Sequence, residues 1–224
     1  MKHIMRKLVT LSIAACTMGG ATALQAGNQV RYATFEVKVQ NVTANNAVSP
    51  FLLVAHRSDQ SLFEVGAAAS PGVAAIAETG DTSVLEEALE GANGVFATAK
   101  AAGGPTMPGK VSVARITVPY SKRVPVLTLL AMIGKSNDSF VSLNSYPLSS
   151  FRWAGQEKTV FAGNFDAGSE ENTGNVEDFG PGGNPTDGAE GLVSYDRGLN
   201  LRGNAPESIA WGPKVARVTI KRIR

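Results

Sequence analysis

Apolar and polar residues alternate without a break over residues 33–40. Ala33, Phe35, Val37 and Val39 share one face, and Thr34, Glu36, Lys38 and Gln40 share the other. Period two with aromatic and β-branched residues predicts a half-buried strand. The same period returns near the far end, where Ala216, Val218 and Ile220 oppose Arg217, Thr219 and Lys221. Cations alternating along that last strand, with Arg222 and Arg224 beyond, read as charge protecting a sheet edge. Residues 51–55 form a short apolar run ending at His56. Residues 124–133 are almost wholly apolar, which fits a central strand covered on both faces or a buried helix. Residues 94–100 and 110–118 read as strands joined through Gly103-Gly104-Pro105. In the second, Val111 and Val113 share one face while Ala114, Ile116 and Val118 share the other, a slip that predicts a bulge near Val113. Residues 140–143 and 158–162 are further strand candidates.

Only residues 70–91 follow a helical code. Ser70-Pro71 supplies an N-cap and a proline at the first helical position, and Gly80 a stop. A second short helix opens with Ser83 and Glu86 in capping-box spacing, buries Leu85 and Leu89, and ends at Gly91. Residues 163–207 are rich in Gly, Asn, Asp and Glu; a loop of that length in a compact domain is functional or disordered. The pattern as a whole is all-β: an antiparallel β-sandwich with one or two short covering helices and a long acidic Gly/Asn-rich loop region.

Composition adds a destination. The 224 residues suit one domain, and 43% apolar residues permit a sizeable core. Lys2, Arg6 and Lys7 precede a short apolar run over residues 8–15, and small residues continue to Ala26. Residues 1–26 therefore read as a signal peptide, cleaved after Ala26 or Ala23, with residues 27–224 as the single exported domain, periplasmic or extracellular. A rival reading takes Ile13-Ala14-Ala15-Cys16 as a lipobox, in which acylated Cys16 would anchor a lipoprotein. No later segment reaches about 18 uninterrupted apolar residues, so no transmembrane helix is predicted.

Cleavage would remove three cations and no acid, taking the formal charge from +2 to −1. A near-neutral domain offers no electrostatic case for nucleic acid. Cys16 is the only cysteine and His56 the only histidine besides His3. The exported domain then has no disulfide, no thiolate metal site and no histidine-cluster zinc site. A Ser-His-acid triad would have to use His56, and no G-x-S-x-G elbow supplies its serine. P-loop and G-x-G-x-x-G motifs are absent. His56 itself reads as a structural histidine bonded to neighbouring loop groups near Asp59 or Glu64, against a catalytic or ligating role. Trp153 and Trp211 read as partly buried core residues, against exposed contact residues.

Two acidic loops carry the candidate chemistry. One is Ser136-Asn137-Asp138-Ser139; the other spans residues 164–172 and contains Asp166, Gly168 and Glu170. Both place carboxylates and amide oxygens at strand ends, where loops of a sandwich converge. Calcium takes six to eight hard oxygen ligands in irregular geometry. Gly168 lets the chain turn tightly enough for Asp166 and Glu170 to face one point. The second loop is not an EF-hand, because Glu171 stands where the sharp-turn glycine belongs. Acidic loops are also commonplace as solvated turns.

An ordered series of segments resembles the spondin domain, the N-terminal module of F-spondin and mindin that also occurs as small exported bacterial proteins. The segments are His56-Arg57-Ser58-Asp59-Gln60-Ser61-Leu62-Phe63-Glu64-Val65-Gly66, Ala69-Ser70-Pro71-Gly72-Val73 and Ala77-Glu78-Thr79-Gly80. Leu130-Ala131-Met132-Ile133-Gly134, Asn137-Asp138-Ser139-Phe140-Val141, Asp166-Ala167-Gly168-Ser169-Glu170 and Val215-Ala216-Arg217-Val218-Thr219-Ile220 follow. The resemblance implies a β-sandwich like those of membrane-binding calcium modules, with one calcium ion at a loop end. Its ligands fall on Asp138, Asp166 and Glu170. Ser139 replaces an aromatic residue of the family pattern, Glu170 replaces a second aspartate, and the cysteines of the animal proteins are missing. The expectation is an exported, non-enzymatic calcium-binding module for adhesion or ligand binding at the cell envelope. Its partner is an unknown protein, glycan or envelope component. The alternatives are a metal-assisted hydrolase using the same three carboxylates, and a metal-independent periplasmic carrier or structural protein.

Overall fold

The computed structural model describes residues 30–120 and 125–224. The predicted signal peptide, its cleavage sites at Ala23 and Ala26, and Cys16 lie outside the described residues. Ten strands form two antiparallel sheets. They are β1 (Tyr32–Asn41), β2 (Leu52–His56), β3 (Val95–Lys100), β4 (Val111–Pro119), β5 (Val126–Met132), β6 (Ser139–Pro147), β7 (Glu157–Phe161), β8 (Gly163–Asp166), β9 (Ser194–Tyr195) and β10 (Ala216–Arg222). The order is β4-β1-β10-β7 in one sheet and β3-β2-β5-β6-β8-β9 in the other. This is the β-sandwich that the alternation predicts.

The alternation of β1 sets one wall of the core. Ala33, Phe35, Val37 and Val39 are fully buried between the sheets, against Ile116 of β4 and Val218 and Ile220 of β10. Strand β5 is buried along its whole length because it lies between β2 and β6 with material on both faces. Leu127, Leu129 and Ala131 enter the inter-sheet core, while Leu130 joins an outer cluster. Helices α1 (Pro71–Thr79) and α2 (Ser83–Leu89) cover that outer cluster with Val73, Ile76, Ala77 and Leu85. Each of these large aliphatic side chains contributes about 1.5–3 kcal/mol on leaving water. Phe63, Phe140 and Phe165 complete the layer, with Phe63 edge-on to both others at centroid distances of 5.1 and 4.9 Å.

Helix α1 starts and stops as its sequence dictates. Ser70 Oγ accepts the Val73 N–H, and Gly80 closes the last turn at φ 72°. Helix α2 does not form the expected capping box. Its N-cap is Thr82, which makes no side-chain cap bond, and the Ser83 N–H is instead taken by Asp81 Oδ1 at 2.8 Å. The predicted bulge at Val113 is also absent. Pairing of β1 with β4 runs unbroken from Tyr32 opposite Pro119 to Gln40 opposite Val111. Val111 and Val113 stay in phase and face solvent, since one face of this sheet has no covering layer. Strand β10 is not an edge either: it lies between β1 and β7. Its outward Arg217 and Thr219 stand across from Gln40 and Lys38 of β1.

The run over 163–207 is only partly loop. It contributes β8 and β9 to the six-stranded sheet, and two 3-10 turns at Val176–Asp178 and Glu207–Ile209. Trp211 is buried, and its Nε1–H donates to Asp196 Oδ2 at 2.5 Å. Trp153 is exposed, contrary to its reading as core.

His56 closes β2 and is fully buried. Its Nδ1 lies 2.9 Å from the Arg57 carbonyl, so Nδ1 carries the proton, and Nε2 then accepts from Thr128 Oγ1 at 2.8 Å. Thr128 Oγ1 in turn accepts the Ser145 N–H at 3.0 Å, where β6 shifts register against β5 and Ser145 takes φ 55°. The histidine is structural, but its partners are Arg57 and Thr128; Asp59 pairs with Arg57. Burial holds the imidazole pKa down, so the ring stays neutral at pH 7. His56→Ala should therefore lower unfolding free energy by about 2–4 kcal/mol in urea titrations at pH 7.5, from the cavity and the orphaned hydroxyl. A loss below about 1 kcal/mol would show that this joint does not hold the sheet.

Candidate metal centre

Two segments far apart in the chain meet at one end of the six-stranded sheet. Cross-strand pairing puts Ser139, at the start of β6, opposite Asp166, at the end of β8. The Ala167 N–H extends the ladder by donating to the Asp138 carbonyl at 3.1 Å. Asp166 is thus the last residue of a strand, where the sequence suggested a loop. Beyond it the chain turns at Gly168, whose φ is 66° and whose Cβ position would lie 2.4 Å from the Leu192 carbonyl oxygen. No side chain fits that contact, so glycine is required on both counts.

The carboxylate of Asp138 closes this turn. Its Oδ2 accepts the Ser169 N–H at 2.7 Å, the Glu170 N–H at 3.1 Å and the Ser169 hydroxyl at 3.3 Å. Asp166 Oδ1 accepts the Gly168 N–H at 2.8 Å. Ser136 Oγ braces the first loop by donating to the Ile133 carbonyl and accepting the Ser139 N–H. Asp138, Asp166 and the backbone of Glu170 are consequently held at one place, although they come from two loops.

Their charge is not neutralised. Among the described residues no Lys or Arg nitrogen lies within 4.0 Å of any of the three carboxylates. Burial pushes the Asp138 carboxyl above the ordinary range, against the pull of the two backbone N–H groups. Burial, then the Asp138 charge, pushes Asp166 up to about 7. Burial, then the charges of Glu78 and Asp138, pushes Glu170 up to about 7. Glu190 adds negative potential to Asp138 and Asp166. Uncompensated acids at a strand end keep their protons to higher pH, and a bound cation would favour their release.

The donor set suits a hard cation. Asp138 Oδ1 and Asp166 Oδ2 accept no hydrogen bond among the described residues, and the Glu170 carboxylate is met by the Thr186 backbone N–H. Asn137 Oδ1 is buried in the same loop with no partner. All are oxygens of the kind that calcium prefers. The carboxylates do not converge on a point as they stand: among the described residues no three acidic, histidine or cysteine side chains are grouped to hold a metal ion. The backbone is gathered, and the side chains would have to close.

Sequence reasoning missed Glu190 and Asp196. Asp196 Oδ1 accepts the Ser139 hydroxyl at 3.2 Å and the Gly198 N–H at 2.9 Å, tying β6 to the long loop. Neither acid falls in a recognisable motif, and only the fold of 163–207 back onto β6 brings them near. Asp178 is a bystander: Thr173, Asn175 and Asn184 donate to its carboxylate and hold its pKa down. His56 is no partner for any of these acids, since both ring nitrogens are used and the ring is buried.

The family model described as Spondin_N matches residues 35–177, more than half of the chain, with Asp138, Asp166 and Glu170 inside it. The chain belongs to the spondin N-terminal domain family. None of the curated proteins matches it. Spondin domains of this type are non-catalytic and typically extracellular. No helix among the described residues is long and apolar enough to cross a membrane. The spondin match ends before β10, which nonetheless lies in the middle of the four-stranded sheet.

Two outcomes follow for the isolated domain in chelator. A carboxyl raised to about 7 from 3.8 binds its proton in the folded state where the unfolded chain has lost it. Its stabilising effect is full below about pH 4 and is lost as pH rises to about 7. Wild-type melting temperature should therefore fall relative to Asp166→Asn across that window, with the His56 contribution common to both. Parallel curves would show that Asp166 is not electrostatically stressed. Asp138→Ala removes the acceptor of three donors and should cost about 1–3 kcal/mol in chelator. An unchanged urea midpoint in chelator would refute the clamp.

Proposed function

We propose that this chain is an exported, non-enzymatic module in which one calcium ion, held by Asp138, Asp166 and Glu170, orders the acidic loops and so shapes a surface that binds a ligand at the cell envelope. The observation that carries the reading is that Asp138, Asp166 and the backbone of Glu170 are held at one sheet end, their carboxylates without an ion-paired cation among the described residues and two of them pushed up to about 7. A divalent cation relieves that repulsion directly, and the oxygen-only donor set favours calcium over zinc or copper. The signal-like residues 1–26 support export to a compartment where calcium is abundant. The partner on this reading is a protein, glycan or other envelope component.

The metal-assisted hydrolase is supported less well. Paired carboxylates can do acid–base work, but the family is a non-catalytic domain type, and His56 is walled into the sheet. The metal-independent carrier called for acidic loops splayed apart, whereas Asp138 bonds the turn that follows Asp166.

Extracellular calcium modules bind at about 10⁻⁴–10⁻³ M, and calcium at one hundred times its dissociation constant stabilises by about 2.7 kcal/mol. The melting temperature should rise through millimolar calcium and not with equal ionic strength of sodium chloride. Asp166→Asn should abolish the rise. A melting temperature that ignores calcium in the wild type would end this reading.

A further inference from the structure

Beside Asp166 the surface opens into a cavity of about 580 Å³, whose lining includes Asp166, Glu190, Arg197 and Arg202. The two guanidinium groups make no hydrogen bond or ion pair with any described residue, and neither does the Glu190 carboxylate. Groups of opposite charge thus line one cavity without forming ion pairs, which leaves both sets of groups available to a guest.

Part of the lining is fixed by hydrogen bonds to the backbone. Asn172 Nδ2 donates to the Gly198 carbonyl at 3.3 Å, and Asn200 Nδ2 to the Asn172 carbonyl at 2.7 Å. A Cβ at Gly174 would lie 2.0 Å from the Asn200 carbonyl oxygen, so the two loop segments touch backbone to backbone. Asp196 fixes the Gly198 N–H from below, and the buried Trp211 fixes Asp196. Such a preformed lining spares a ligand the cost of ordering it.

The volume falls within the range of small-molecule sites and is far more than an inorganic anion needs. Arginine side chains bind a carboxylate through paired N–H donors. Carboxylates accept only, so Asp166 and Glu190 call for hydroxyl donors. Leu192 and Leu199 add apolar surface to the same lining. A guest that carries an acid group, several hydroxyls and a C–H face is a sugar acid. We propose that this cavity is a binding site for a uronic acid unit, its carboxylate on Arg197 and Arg202 and its hydroxyls toward Asp166 and Glu190. This deepens the ligand-binding reading above and rests on it, but it does not require the calcium ion.

The test is a titration of the intact domain with D-glucuronate, followed by amide chemical shifts, once in chelator and once in millimolar calcium. Saturable binding in the millimolar range, with shifts centred on residues 190–202, is expected. The Arg197→Gln/Arg202→Gln pair should weaken it at least tenfold in both arms while leaving the melting temperature unchanged, because neither guanidinium holds any part of the fold. D-Glucose, which lacks the acid, should bind at least tenfold more weakly. Glucuronate binding that the double variant does not alter would overturn the proposal, as would no saturation in either arm. Inorganic phosphate binding as tightly as glucuronate would show an anion site and not a saccharide site. A calcium-insensitive melting temperature together with arginine-dependent glucuronate binding would remove the metal reading and leave this one standing.

Discussion

A buried carboxylate that accepts two backbone N–H groups from another loop is the joint on which this end of the molecule depends. Asp138 belongs to the connection between β5 and β6, and its Oδ2 holds the turn after β8. Without it, β8 would pair with β6 over a few residues and the chain beyond Asp166 would have no fixed departure. With it, Asp166 and Glu170 leave the sheet in a set direction, and Gly168 presses against the backbone at Leu192. The joint is costly because the acid is buried beside other acids, and backbone hydrogen bonds only partly offset the desolvation. An Asn there would offer one oxygen without the charge. The charge fits a site that is completed by a cation better than one completed by the protein alone.

The electrostatic stress and the order of the surrounding loops belong to the same design. Loops full of acids ordinarily spread into solvent. Here the chain over 163–207 is held by side chains bonding to backbone: Asp196 to Gly198, Asn172 to Gly198, Asn200 to Asn172 and Thr186 to Glu171. None of these bonds requires a hydrophobic core. Each lets a polar, glycine-rich segment hold a shape while keeping charged groups at its surface. The acids can therefore remain close to one another with no arginine or lysine ion-paired to them among the described residues.

The strands that were legible in the sequence are those whose burial is one-sided or complete. Period two in β1 and β10 maps onto an inner face at Phe35, Val37, Val218 and Ile220, and the unbroken apolar run of β5 maps onto burial by a sheet on one side and helices on the other. Strand β4 misled because Val111 and Val113 are apolar yet solvent-facing; hydrophobicity alone could not report that this sheet has a bare outer face. Strand order was not legible at all: the charged outer face of β10 suggested an edge, but β1 and β7, far apart in the chain, flank it on both sides. Strands β8 and β9 were hidden in a Gly/Asn-rich run because β8 pairs with β6 and β9 with β8, and pairing is a tertiary fact. Of the candidate site, Asp138, Asp166 and Glu170 were named through family resemblance, and their backbone proximity follows from register. The free acid Glu190 and the unpaired Arg197 and Arg202 carried no local signal.

The boundary of the family match gives those last residues a meaning of their own. The match covers residues 35–177 and so contains both acidic loops, but not Glu190, Arg197 or Arg202. The same cavity takes lining residues from each side of that boundary, since Asp166 lies within it and the arginines beyond it. The acidic loops come from the part of the chain that is shared as a family pattern. The arginines are supplied by a segment tied down through Asp196 and Trp211. Changes in residues 190–202 can therefore alter what the cavity accepts without disturbing the Asp138 joint, because no side chain of Glu190, Arg197 or Arg202 bonds to it. On the proposed reading cation affinity and ligand choice are separable: the first would be set by the ends of β6 and β8, the second by the loop that follows β8.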